Sequence, residues 1–146
     1  MNPYDSQMAA RVWQRVQAKQ EPADLLPEVL LLLAEETQDA ALYHRLSKNT
    51  SKGKAAILEN LLHFSRQSLS ILRGIHYLLT DSYPAAVPAQ SHISSVSLRL
   101  CYGDTLRRSI RYGQLCSHSE YTSAFAQLET LSRQRCVLLL QLIGTP

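Results

Sequence analysis

The sequence predicts an all-α protein: an antiparallel four-helix bundle with one long crossover and a short extra helix at the N-terminal end. Three observations lead to this fold class. Apolar residues recur at steps of three and four in four long segments, which places them on one face of a helix. Leu is abundant while Val and Phe are sparse, a balance typical of helices. Two of the three connections between these segments are short, and the middle one is long.

The composition predicts a single globular domain. A chain of 146 residues with a hydrophobic fraction of 45% is large enough to bury a real core. The three cysteines lack the paired spacing of a disulfide framework or a zinc site, so reduced thiols in a cytoplasmic protein are expected. No secretory signal is recognised, and no run approaches the roughly 18 apolar residues of a membrane helix. No membrane association is expected.

The first half of the chain is divided into a short helix and a helical hairpin. Residues 1–22 are predicted to form a short amphipathic helix that packs through Trp13. Residues 23–80 are predicted to form the hairpin, with a turn near its middle and with Thr50 or Ser51 as the N-cap of its second helix. Asp24 is expected to be the N-cap of its first helix, and Pro27 is expected to lie in the first turn of that helix.

The second half is predicted to be a crossover followed by a second hairpin. Residues 81–94 contain two prolines and several small residues, a composition typical of an extended connection. About 13 extended residues span about 43 Å, and a helix of about 25 residues is about 38 Å long. The connection is therefore long enough to return along the bundle before the second hairpin, residues 95–146, begins.

Charged residues on the inner stripes identify a candidate site. Glu36 shares the apolar stripe of its helix with Val29, Leu33 and Tyr43. A buried carboxylate must be paired, bound to metal or protonated. Arg135 lies on the inner stripe of the last helix, so we expect it to form a charge-assisted pair with Glu36.

Several segments of the sequence resemble those of the ferritin-like superfamily, and most closely those of its small rubrerythrin-like bacterial members. They are EETQDAALYHRL at 35–46, LRGIHYLLTD at 72–81, and the segment 111–144, together with the short RVWQRV at 11–16. The resemblance covers about residues 23–144 and implies ferritin-like topology.

The resemblance also implies where a metal centre would lie. The family holds two iron or manganese ions with a Glu from the first helix of each hairpin and a Glu-x-x-His from the second. Those six positions correspond here to Glu36, Ser65, Ser68, Thr105, Ser132 and Arg135. Only Glu36 keeps a ligand-type side chain, so no metal or other cofactor is expected. The hydroxyls are expected to hydrogen-bond around the ion pair, and Tyr43 and Tyr112 to be core residues with hydrogen-bonded hydroxyls.

The expected function is a non-catalytic bundle that has lost its di-metal site and has a structural or interaction role. Two alternatives stay open. One is a rubrerythrin-like iron or manganese oxidoreductase with a site rebuilt from Glu35, Glu36 and Asp104. The other is a small-molecule binder, because replacement of Glu and His by Ser leaves volume in the polar centre.

The expected partner is a second copy of the chain or an unidentified protein. A homodimer through helix faces is suggested by leucines predicted to be exposed, which include Leu30, Leu31 and Leu138. A basic face on the fourth long segment consists of Arg99, Arg107, Arg108 and Arg111. Nucleic-acid binding is disfavoured because helix-turn-helix patterns and aromatic platforms are missing from the sequence. A solvated face with salt bridges is expected instead.

Overall fold

The computed structural model describes residues 22–86 and 98–146, which form four α-helices. They are α1, Pro22–Ser47; α2, Lys52–Thr80; α3, Leu98–His118; and α4, Thr122–Gly144. These two ranges contain no strand, and the helices pack on one another, so the predicted all-α bundle class is confirmed. The predicted helix around Trp13 and much of the predicted crossover lie outside the described residues.

The first helix, α1, starts earlier than the sequence predicts. α1 begins at Pro22 rather than at Asp24, so Pro27 lies inside the helix rather than in its first turn. Proline suits the first helical position because its φ is already helical and no N–H is lost there. At Pro27 the missing N–H removes one backbone hydrogen bond. At the C-terminal end of α2, Asp81 adopts a left-handed conformation (φ 60°) and donates its N–H to the carbonyl of Tyr77.

Three pairs of helices pack with their backbones close together: α1 with α2, α3 with α4, and α2 with α4. Short connections join α1 to α2 and α3 to α4. α1 also contacts α3 through ion pairs, described below. The helix pair α1–α2 thus contacts the pair α3–α4 by close backbone packing between α2 and α4, and by ion pairs between α1 and α3.

The buried apolar side chains form two clusters. The first apolar cluster contains Val29, Leu32, Leu33, Leu69, Leu72, Ile75, Tyr112, Leu115, Phe125 and Leu128. The second apolar cluster contains Leu42, Tyr43, Leu58, Leu61, Cys101, Leu139 and Leu142. All four helices contribute to both clusters, so each helix passes from one to the other. α1 and α4 pass from the first cluster to the second, whereas α2 and α3 pass from the second to the first.

Buried polar residues lie between the two apolar clusters on every helix. They are Glu36 on α1, Ser65 and Ser68 on α2, Thr105, Arg108 and Ser109 on α3, and Ser132 and Arg135 on α4. We call this set, with Asp39, the polar layer.

None of the four described helices combines the length and apolarity that crossing a bilayer requires.

Candidate functional site

Glu36 is at the centre of the polar layer and is completely buried, with 0% exposure. Arg135 Nη1 donates to Glu36 Oε2 at 2.5 Å, so the ion pair expected from the sequence is present. The other oxygen, Oε1, accepts from Arg108 Nη1 at 3.1 Å and from the Tyr112 hydroxyl at 3.0 Å. Both carboxylate oxygens of Glu36 are therefore bound by donors from α3 and α4.

Asp39 brings a second carboxylate to the same two arginines. Its Oδ2 accepts from Arg108 Nη1 at 2.8 Å and from Arg135 Nη2 at 2.6 Å. Residues three apart on a helix lie on one face, which is why Asp39 lies beside Glu36. Arg108 also donates from Nε to Glu35 Oε2 at 3.0 Å. The guanidinium of Arg108 thus bridges three carboxylates of α1.

The charges within the layer balance, and they keep Glu36 and Arg135 ionised. Burial raises the pKa of Glu36, but the neighbouring charges of Arg135 and Arg108 more than offset this effect, so the pKa lies below its ordinary value. Burial lowers the pKa of Arg135, but the charge of Glu36 more than restores it, and the net shift is upward. The carboxylates of Glu36 and Asp39 face two buried guanidiniums, so no buried charge is left without a partner.

Tyr43 and Cys101 extend the layer toward the second apolar cluster. Arg135 Nη2 donates to the Tyr43 hydroxyl at 3.3 Å, and the guanidinium lies 5.6 Å from the centre of the Tyr43 ring. The Tyr43 hydroxyl is 3.6 Å from Cys101 Sγ. Burial raises the pKa of both groups, so the phenol and the thiol are neutral at pH 7. Both inner tyrosines are hydrogen-bonded core residues, as expected.

For Ser68 and Thr105, the expectation that their hydroxyls hydrogen-bond around the ion pair is wrong. Ser68 donates to the carbonyl of Phe64 at 3.0 Å, and Thr105 donates to the carbonyl of Cys101 at 2.8 Å. Such bonds to the preceding helical turn are a common alternative for these side chains. The lone pairs of Glu36 are satisfied instead by arginines and a tyrosine, namely Arg135, Arg108 and Tyr112.

Arg108 belongs to the polar layer, although its sequence context places it on a solvated basic face. Its side chain is buried, and the residue is only 4% exposed. Arg107 and Arg111 are exposed, as expected, and pair with Asp104 and Glu28. The signal that identifies Arg108 is its spacing, because it lies three residues after Thr105 and four before Tyr112, both of which are on the predicted inner stripe.

A groove of about 540 Å³ lies between α1 and α3. Asp39 and Arg108 belong both to its lining and to the polar layer. Glu28 with Arg111, and Asp104 with Arg107, form ion pairs among its other lining residues. The buried charges therefore lie close to solvent on this side of the molecule.

The described ranges bring no three His, Cys, Asp or Glu side chains together in the arrangement of a metal site. Asp104 pairs with the exposed Arg107, and Glu35 and Glu36 both accept from Arg108. The chemical capacity of the layer is that of a charge-paired, hydrogen-bonded core. In comparisons with known proteins, no protein-family model, curated protein or solved structure matches the chain.

Proposed function

We propose that this chain is a non-catalytic ferritin-like bundle in which an arginine–carboxylate network replaces a di-metal centre, and that its role is structural or interaction-based. The observation that carries the proposal is the coordination of Glu36. Its two oxygens accept from two guanidiniums and a phenol, all of them buried. A carboxylate held in this way already has the charge partners that a metal would otherwise supply.

The path of the chain through the two apolar clusters supports the topology that we propose. α1 and α4 meet the clusters in one order, and α2 and α3 meet them in the other. Neighbouring helices would then be antiparallel, and the connection from α2 to α3 would have to return along the bundle. One long crossover between two hairpins is the ferritin-like form of the four-helix bundle.

The charge of the layer also argues against a cation beside Glu36. Arg108 and Arg135 both place guanidinium nitrogens within hydrogen-bonding distance of this carboxylate. An iron or manganese ion at Glu36 would lie within a few ångströms of two positive charges, where repulsion in a buried site is strong. It would also lack imidazole ligands, since the corresponding positions hold Ser68 and Arg135.

Metal content per chain tests the proposal. The protein is purified without chelator after growth with iron and manganese, and its metals are measured by elemental mass spectrometry. We expect no stoichiometric iron or manganese in folded protein. Stoichiometric metal that is lost in Glu36→Ala but retained in Glu59→Ala, a matched change at an exposed glutamate of α2, would overturn the proposal and favour the oxidoreductase alternative.

For the interaction role, we propose a homodimer through the outer face of α1. Leu30 and Leu31 are 44% and 59% exposed on successive positions of this helix. Leu138, also expected to be exposed, is instead partly buried against the second apolar cluster. We expect sedimentation equilibrium to show a dimer that Leu31→Glu dissociates. Leu140→Glu, a change on the outer side of α4 at a similarly exposed leucine, should leave it intact. A monomeric wild-type chain would refute the homodimer.

A further inference from the structure

Three buried polar atoms of the layer are not used by the ion-pair network. Ser65 Oγ, Ser132 Oγ and Arg135 Nε have no hydrogen-bond partner within residues 22–86 and 98–146. All three residues are completely buried. Buried polar atoms in folded proteins nearly always have a partner, so these three point to a ligand.

The three atoms belong to the same level of the bundle. Ser132 and Arg135 are three residues apart and therefore lie on one face of α4. Ser65 lies on α2, which packs directly against α4. On α2 it follows Leu61 of the second apolar cluster and precedes Leu72 of the first. Ser132 occupies the equivalent level on α4, between Leu128 and Leu139.

We infer that this α2–α4 side of the polar layer binds a small hydrogen-bond acceptor, a single water molecule held by Ser65, Ser132 and Arg135. The Nε–H of Arg135 can only donate, whereas each serine hydroxyl can donate or accept. Water accepts from Nε–H and completes its bonding with the two hydroxyls. Three polar partners are typical of a buried structural water.

The charge balance selects a neutral ligand over a halide ion, which could accept the same hydrogen bonds. The carboxylates of Glu36 and Asp39 already match the guanidiniums of Arg108 and Arg135. Glu35 adds a further, partly exposed carboxylate. A buried anion would have no positive charge left to compensate it, and isolated buried charge is strongly unfavourable. The water site does not depend on the role proposed for the whole chain.

Alanine substitution distinguishes a shared ligand from unpartnered hydroxyls by whether it lowers or raises the stability of the fold. Ser65→Ala, Ser132→Ala and the double variant are compared by urea unfolding. Ser68→Ala is the matched control, since Ser68 is equally buried on α2 but bonds to its own helix. It carries the same gain in helix propensity.

If a water molecule is shared, each single variant lowers the folding equilibrium constant about tenfold relative to Ser68→Ala. The double variant then lowers this constant by a smaller factor than the product of the two single decreases. Equilibrium constants at or above that of the control, with independent effects, would overturn the inference.

The choice of water over a halide is tested by repeating the series with chloride replaced by acetate at equal ionic strength. We expect no change in the stability of the wild-type chain. A wild-type stability that depends on chloride, and a dependence lost in Ser132→Ala, would identify a halide and overturn the assignment of water.

Discussion

Single residues determine the chemistry of the polar layer, and Glu36 shows how. Its carboxylate is stabilised by arginines from two other helices, so neither Arg108 nor Arg135 alone accounts for its burial. The pairing with Arg135 was predictable because both residues lie on inner stripes in otherwise apolar surroundings. Arg108 was missed because the arginines on either side of it, Arg107 and Arg111, are typical of an exposed basic face.

Removal of either partner of the central pair is expected to be strongly destabilising. Glu36→Gln and Arg135→Met should each lower the free energy of unfolding by roughly 3–5 kcal/mol, because each leaves an uncompensated buried charge. The double variant should recover part of this loss, which a double-mutant cycle by urea unfolding will measure. Arg133→Met is the control: Arg133 pairs with Glu129 in solvent, with its side chain 72% exposed, and its loss should be about 1 kcal/mol or less. Strictly additive losses would contradict the coupling.

The two neighbouring arginines of α3 provide a second comparison. Arg108→Met should lower the free energy of unfolding by several kcal/mol, since Glu36 and Asp39 lose a buried partner. Arg107→Met removes only the exposed pair with Asp104 and should lower it by less than about 1 kcal/mol. The measurement is chemical denaturation of both variants. Equal losses would show that Arg108 is not part of the stabilising network.

At the scale of elements, the helices were predictable because apolar periodicity extends over several turns in each of them. The ends of the helices were less predictable. The start of α1 depends on whether Pro22 or Pro27 lies in the first turn, and both residues suit that position. The hydroxyl partners could not be predicted either, because a serine or threonine on an inner stripe can bond across the core or to its own helix. Ser68 and Thr105 do the latter.

Two glycines within α3, Gly103 and Gly113, test how much glycine lowers the stability of this helix. A Cβ added at Gly103 would have no heavy atom within 4 Å, apart from the immediate helix backbone. Gly103→Ala should therefore raise the free energy of unfolding by about 0.5–1 kcal/mol. At Gly113 the added Cβ would meet the Glu129 carboxylate at 3.3 Å, so Gly113→Ala should gain less. Thermal unfolding of both variants measures the difference, and a larger gain at Gly113 would contradict it.

For the whole molecule, the polar layer links stability to pH. The pKa of Glu36 is lowered on folding, so its contribution is present above the unfolded value, about 4.3, and is lost as the pH falls through the lower folded value. We expect urea midpoints to fall between about pH 5 and pH 2, and to fall less steeply in Glu36→Gln. Equal slopes in the two proteins would show that Glu36 does not titrate with folding.

The bundle class followed from local patterns, whereas the completeness of the layer depends on which side chains meet across helices. A stripe shows that Glu36 is buried, but it does not show that Asp39 and Arg108 join it. Those contacts depend on the rotation of α1 and α3 about their axes. The spacing of apolar residues along the sequence determines that rotation only approximately.

The unequal contacts between the helix pairs α1–α2 and α3–α4 have a mechanical consequence. Apolar packing between α2 and α4 weakens sharply over fractions of an ångström, whereas the attraction between charges on α1 and α3 decreases slowly with distance. We therefore expect the bundle to yield more readily between α1 and α3, where Asp39 lines the groove, than between α2 and α4.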